Sequence, residues 1–224
     1  MKQKNGMIAG CLAVLAAVLV IAGLYRVVSV YRHYREDMLT YESRRMNSIV
    51  SSSARGMDWM MDGYAVRLSQ LAERREFAWA EETYLAEGDP VVMRALMARP
   101  DVRMPGMRYS LGVYAAKGGA LLGATNAALP EGVEEDEILG ENVFLRRDGN
   151  GDYWFVFGAE SGNGFWYELC IRAETMFAAQ VETARLGQQS FLFLLDRENR
   201  FVTYSSGGVT RAVSTEEILA AVDG

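Results

Sequence analysis

The sequence predicts an α+β fold made of an N-terminal transmembrane helix, a long amphipathic helix and then an antiparallel sheet with helical insertions. Three observations predict it. Residues 7–25, MIAGCLAVLAAVLVIAGLY, form a run without a charged side chain. From Val27 to about Ala80 there is no Pro, Gly occurs only at 56 and 63, and apolar residues recur at helical steps. Beyond residue 108 the period shortens to aromatic and β-branched runs separated by glycine turns.

Residues 1–6 read as a short cytoplasmic tail carrying Lys2 and Lys4. The run 7–25 is long enough for a ~30 Å hydrocarbon core. A cleavable signal peptide is the rival reading, but the apolar segment exceeds the ~7 to 15 residues of a signal core, which favours a retained anchor. Lys2 and Lys4 favour a cytoplasmic N-terminus, whereas Arg26, Arg32, Arg35, Arg44 and Arg45 outnumber them and pull the other way, so charge counting alone does not fix the orientation. Residues 26–80 form the helical stalk, with Tyr34, Met38, Tyr41, Met46, Ile49, Met57, Tyr64, Leu68 and Leu71 along its apolar side.

At 81–187 the stalk gives way to a module. Asp89 can cap a helix over 91–98, with Pro90 suited to its first position and Pro100 ending it. RYSLGVYAA (108–116), the Lys117-Gly118-Gly119 turn and ALLGATN (120–126) predict a hairpin. The acidic stretch 131–142 predicts a turn or two of helix closed by Gly140. A second hairpin follows over 152–160 and 165–172, and a helix over 173–187 closed by Gly187. The segment 188–224 opens with FLFLLDRENRFVTY (191–204), a strand, a polar turn and a strand. It is either the last hairpin of the same module or the start of a second one. The Ser214-x-x-Glu217 capping box favours the second, since it begins another helix.

Composition excludes several functions. The net charge of −6 leaves no basic stripe to displace counterions from nucleic acid. Cys11 lies in the apolar run and cannot reach Cys170, so no disulfide is expected. The single histidine, His33, sits near the membrane end of the stalk, which rules out Ser-His-Asp and Cys-His catalysis. No phosphate-cradling G-x-x-x-x-G-K-[ST] stretch occurs. DGNGD (148–152) begins like a calcium loop, but Tyr153 takes the glycine position and Ala159 the position of the bidentate carboxylate, so a polar turn entering a strand is the reading. The methionines lack Cys or His support for copper and read as adaptable packing. No enzyme, metal or cofactor is expected.

Aromatics on the predicted strands are the best candidates for binding. Tyr114, Trp154, Phe157 and Trp166, with Arg172 at a strand end, could form a concave aromatic wall with one cation, suited to an amino acid or carboxylate.

VYAAKGGALLGATN (113–126), GFWYELCIRAETMF (164–177) and FLFLLDRENRFVTYSS (191–206) resemble, in order, the first hairpin, the strand leading to the connecting helix and the "f-l-l-D-x-x-G-x-v" hairpin of the Cache family of bacterial extracytoplasmic sensors. Asn199 stands where that turn usually has Gly, and Asn tolerates the same positive φ. The Arg-x-Trp-Tyr strand of the amino-acid-binding double Cache domains is not matched: the nearest strand here reads Asp152-Tyr153-Trp154-Phe155. The resemblance implies a PAS-like sheet outside the cytoplasmic membrane, a small-molecule ligand and a homodimer through the long helix. It implies the input region of a transmembrane receptor whose output, a cyclic-dinucleotide enzyme, histidine kinase or chemotaxis signalling domain, is not among these residues. A membrane-anchored structural or protein-binding domain is the alternative.

Overall fold

The computed structural model describes residues 2–102, 109–125, 129–184, 191–206 and 209–211, with side chains described from Val20 onward except at 101, 181–184, 191, 201, 204–206 and 209–211. The helix cap expected at Ser214–Glu217 and the helix end expected at Gly187 lie outside these residues, as do the side chains of 7–19 within the expected anchor. Among the described residues no helix is long and apolar enough to cross a membrane.

The chain divides into two compact units, Met1–Ser51 and Ser52–Gly224. The first is a continuous stretch of helix α1 (Lys2–Ala72). It exposes Leu24, Val28, Tyr31, Tyr34, Met38 and Tyr41, and its His33–Asp37 and Arg45–Glu42 pairs are solvated, so they contribute little.

In the second unit α1 ends at Ala72, short of the expected position near 80, and α2 (Arg75–Glu87) begins after Arg74 in an extended conformation. The physical reason is phase. Leu68, Leu71 and Ala72 are buried, and an uninterrupted helix would next turn Arg75 and Trp79 inward; the break turns Phe77 and Ala80 inward instead. Helix α2 closes on Gly88 at φ 73°, whose N–H donates to the Tyr84 carbonyl at 2.7 Å. Asp89 Oδ1 then accepts from the Val91 amide at 3.0 Å, starting α3 (Val91–Met97) as the Asp-Pro pair predicts.

The sheet is six-stranded and antiparallel, in the order β2-β1-β6-β5-β4-β3. Strands β1 (Ser110–Tyr114) and β2 (Leu121–Ala124) form the hairpin predicted around Lys117-Gly118-Gly119. The acidic segment is not helical: β3 (Glu135–Gly140) turns at Asn142 into β4 (Val143–Arg147). Glutamate and aspartate are poor strand formers, but Asp136 pairs with Arg146 directly opposite it, Arg147 pairs with Glu134 and Arg200 with Glu135, and this charge pairing overrides local propensity. Strands β5 (Tyr153–Glu160) and β6 (Trp166–Arg172) complete the sheet, and α4 (Ala173–Ala184) follows. The last hairpin, β7 (Phe191–Leu195) and β8 (Phe201–Ser206), pairs with β9 (Val209–Arg211) in a separate three-stranded sheet. It is therefore not the final strand pair of the six-stranded sheet.

Strand alternation divides the six-stranded sheet into two faces. Leu111, Val113, Phe155, Phe157, Leu169 and Ile171 point to one side, where they pack with Leu68 of α1, Phe77 of α2, Met93 of α3 and Met176 of α4. Phe77 meets Tyr167 edge-on with ring centroids 5.5 Å apart. Each such buried apolar side chain contributes about 1.5–3 kcal/mol. One carboxylate enters this core: Glu81, 1 % exposed, accepts from the Tyr167 hydroxyl at 2.5 Å and the Asn163 amide at 2.9 Å, tying α2 to the β5–β6 end.

Two turns of the same build close the β4–β5 and β7–β8 hairpins. Asp148 Oδ1 accepts from the amides of Asn150 and Asp152, and Asp196 Oδ1 from those of Glu198 and Arg200. The fourth residue takes positive φ in both, Gly151 at 83° and Asn199 at 62°, so Asn serves where Gly is usual. Each second carboxylate oxygen takes an aromatic donor, Trp154 Nε1 at 2.9 Å for Asp148 and the Tyr153 hydroxyl at 3.1 Å for Asp196. With Asp148 spent on these inward donors, DGNGD is a closed turn.

Candidate functional site on the polar face of the sheet

The other side of the sheet carries Tyr114, Trp154, Trp166, Glu168, Cys170 and Arg146. Glu168 lies at its centre. Register places Gly112 of β1 on one side of it and Gly158 of β5 on the other. These mid-strand glycines clear space for rings. The Trp166 indole lies over Gly158, so that a Cβ there would stand 2.1 Å from Cζ2, and the Tyr114 ring lies over Gly112, where a Cβ would stand 3.0 Å from Cε2. The Glu168 carboxylate is thus bracketed by two rings.

Its oxygens are fully engaged. Trp166 Nε1 donates to Oε1 at 3.1 Å, and Arg146 donates to Oε2 at 3.1 Å. Arg146 also forks onto Asp136, with Nε 2.8 Å from Oδ1 and an NH2 nitrogen 3.1 Å from Oδ2. The Arg146 and Glu168 side chains are each 13 % exposed. Burial alone would lower the guanidinium's pKa; the Asp136 hydrogen bonds and the Glu168 charge outweigh it and push it up. Burial, then the Glu168 charge, pushes the Tyr114 phenol up to about 12. Burial likewise raises the Cys170 thiol, leaving it a neutral packing group beside Trp154 and Val156.

Lys117, on the β1–β2 turn, reaches across this face. Its ammonium sits 4.7 Å from the Trp166 ring centre and 5.1 Å from that of Phe144. Among the described residues it forms no ion pair.

Of the residues picked from sequence, the structure brings Tyr114 and Trp166 together. Trp154 and Arg172 share their face but belong to the Asp148 turn: the Arg172 guanidinium lies 5.0 Å from the Trp154 ring and 3.3 Å from Asp152 Oδ2. Phe157 is misplaced by the expectation. It faces the apolar core, against Tyr64 at 5.7 Å, because a strand sends residues 154 and 157 to opposite sides. Sequence reasoning missed Asp136, Phe144, Lys117 and Glu168; the glycines inside SLGVY and YWFVFGAE were the signal that rings approach there.

The arrangement can hold charge and stack on flat or cationic groups. Among the described residues no group of three or more His, Cys, Asp or Glu is placed to hold a metal ion. Comparison of the chain with models of known families, with curated proteins and with solved structures gives no match.

Proposed function

We propose that the chain is the small-molecule-sensing input region of a bacterial transmembrane signalling receptor, anchored through residues 7–25 with its sheet outside the membrane, and that the polar face around Glu168 receives the ligand. The observation that carries this reading is the ring-bracketed, charge-satisfied cluster of Tyr114, Trp166, Glu168 and Arg146 on a sheet whose opposite face is packed with helices. A few convergent polar groups set among aromatics are how small ligands are oriented. Tyr64 of α1 packs on Phe157 behind the same strands, so a change in the sheet has a direct route into the long helix. Two copies would pair through that helix, converting its movement into a signal.

The test is a thermal-shift screen of the full chain in detergent micelles against amino acids, carboxylates and amines, repeated with Trp166→Phe. A compound that raises Tm in the wild type and loses that effect in Trp166→Phe supports the reading; no stabilisation by any class counts against it.

One observation favours the alternative of a protein-binding domain. Between α2 and α3 lies an apolar groove of about 600 Å³ lined by Trp79, Val91, Val92 and Leu96, with Trp79 60 % exposed. The alternative gains if no small molecule stabilises the chain while a co-purifying protein is lost with Trp79→Ala.

A further inference from the structure

We infer that Trp166 and Phe144 form a cation-recognition site, that the chain's own Lys117 occupies it until a ligand displaces it, and that the ligand of this face is an organic ammonium. The inference rests on the polar face being the ligand site and adds the ligand's chemical class.

Three observations carry it. The Lys117 ammonium stands over two aromatic faces at 4.7 and 5.1 Å, a geometry suited to a cation and to no anion. The charge around it is acidic without it: Asp136 and Glu168 stand against Arg146, and Glu160 faces Trp166 across β5 and β6. Arg146, the cation that would otherwise draw a carboxylate, already has both partners. A carboxylate ligand would have to displace one of them, whereas an ammonium needs only to displace Lys117.

That displacement is a local event. Lys117 is exposed and lies on a four-residue turn closed by the Gly119 amide to the Ala116 carbonyl at 2.8 Å, with Gly118 at φ 73°. As a tethered group it competes at an effective concentration in the millimolar range, so it sets a threshold below which free cations do not enter. Lys117 thus acts as an internal competitor that fixes the concentration window of the response.

The experiment uses the full chain in detergent micelles and three probes of one size: propylammonium, propanol and propionate. Lys117→Ala removes the tethered cation and leaves room for its equivalent. Propylammonium is expected to bind Lys117→Ala about tenfold or more tightly than the wild type, with propanol and propionate showing no such gain. Lys117→Ala combined with Phe144→Leu should lose most of the gain; Phe144 is only partly buried, so this variant keeps the fold where a Trp166 truncation would endanger it. The inference is overturned if Lys117→Ala gains no affinity for propylammonium, if propanol or propionate gains as much, or if Phe144→Leu leaves the gain intact. Failure here with a Trp166-dependent hit from another chemical class in the metabolite screen leaves the sensing function standing; failure of both removes it.

Discussion

The two faces of the six-stranded sheet are built from alternate residues of the same strands, yet they answer to different physics. The helix-packed face is apolar apart from Glu81, and Phe155, Phe157, Leu169 and Ile171 on it need only to be apolar and of the right volume. The polar face is specific: Glu168 keeps its place because Gly112 and Gly158 flank it, Trp166 and Tyr114 fold over those glycines, and Arg146 binds both Glu168 and Asp136. A buried charge network of this kind offers little net stability over well-packed apolar residues. Of the two faces, the polar one carries the paired charges, while the core holds the single carboxylate of Glu81 among its described residues.

The largest effect should come from the generic face. Phe157→Ala removes a fully buried ring against Tyr64 and should cost about 3–5 kcal/mol by equilibrium denaturation, while any ligand-induced gain in Tm persists in whatever fraction remains folded. Gly158→Ala comes next. The added methyl would fall 2.1 Å from Trp166, so the indole must leave its place, at a cost of about 1–3 kcal/mol and with loss of ligand response. Retention of both stability and response would show that the ring is not held where the account needs it.

A smaller effect is expected at Asp196, in the turn that repeats the Asp148 build. Burial there would raise its carboxyl, but the hydrogen bonds from Arg200, through side chain and backbone, hold it below the usual carboxylate range. The folded-state value is thus depressed. Its contribution to stability is complete above the unfolded value of about 3.9 and is lost as the pH falls through the lower folded one. Asp196→Asn should therefore flatten the acid limb of the stability profile, with a loss near neutral pH of about 1–2 kcal/mol, because Asn keeps an oxygen for the turn amides. The smallest effect belongs to Lys117→Ala, whose stability should stay within about 0.5 kcal/mol of the wild type, since the residue is exposed and makes only cation–ring contacts at the surface.

The parts of the fold that sequence revealed are those where local chemistry and tertiary structure agree. Asp89-Pro90 opens α3, Lys117-Gly118-Gly119 closes β1–β2, and the aromatic runs become β5 and β6. Two misses share a cause, which is that distant partners overrode local preference. The acidic stretch 135–140 becomes strand because Arg146 and Arg147 lie opposite it, and the helix breaks after Ala72 without Gly or Pro because the core demands a new phase. At the site, residue type pointed to Tyr114 and Trp166, and parity along β5 would have removed Phe157. Glu168, Asp136 and Lys117 become visible only once register sets β1, β6, β5, β4 and β3 side by side.

The central claim, that ligand binding belongs to the charge network of the polar face, is tested most directly with Glu168→Gln. This change keeps an acceptor for Trp166 Nε1 while removing the charge that Arg146 pairs with and that helps hold Tyr114 near 12. The measurement is the ligand-induced Tm shift of the full chain, wild type against Glu168→Gln, with the best compound from the screen. The account predicts a clear upward shift in the wild type and its loss in Glu168→Gln, whereas an equal shift in both would contradict it.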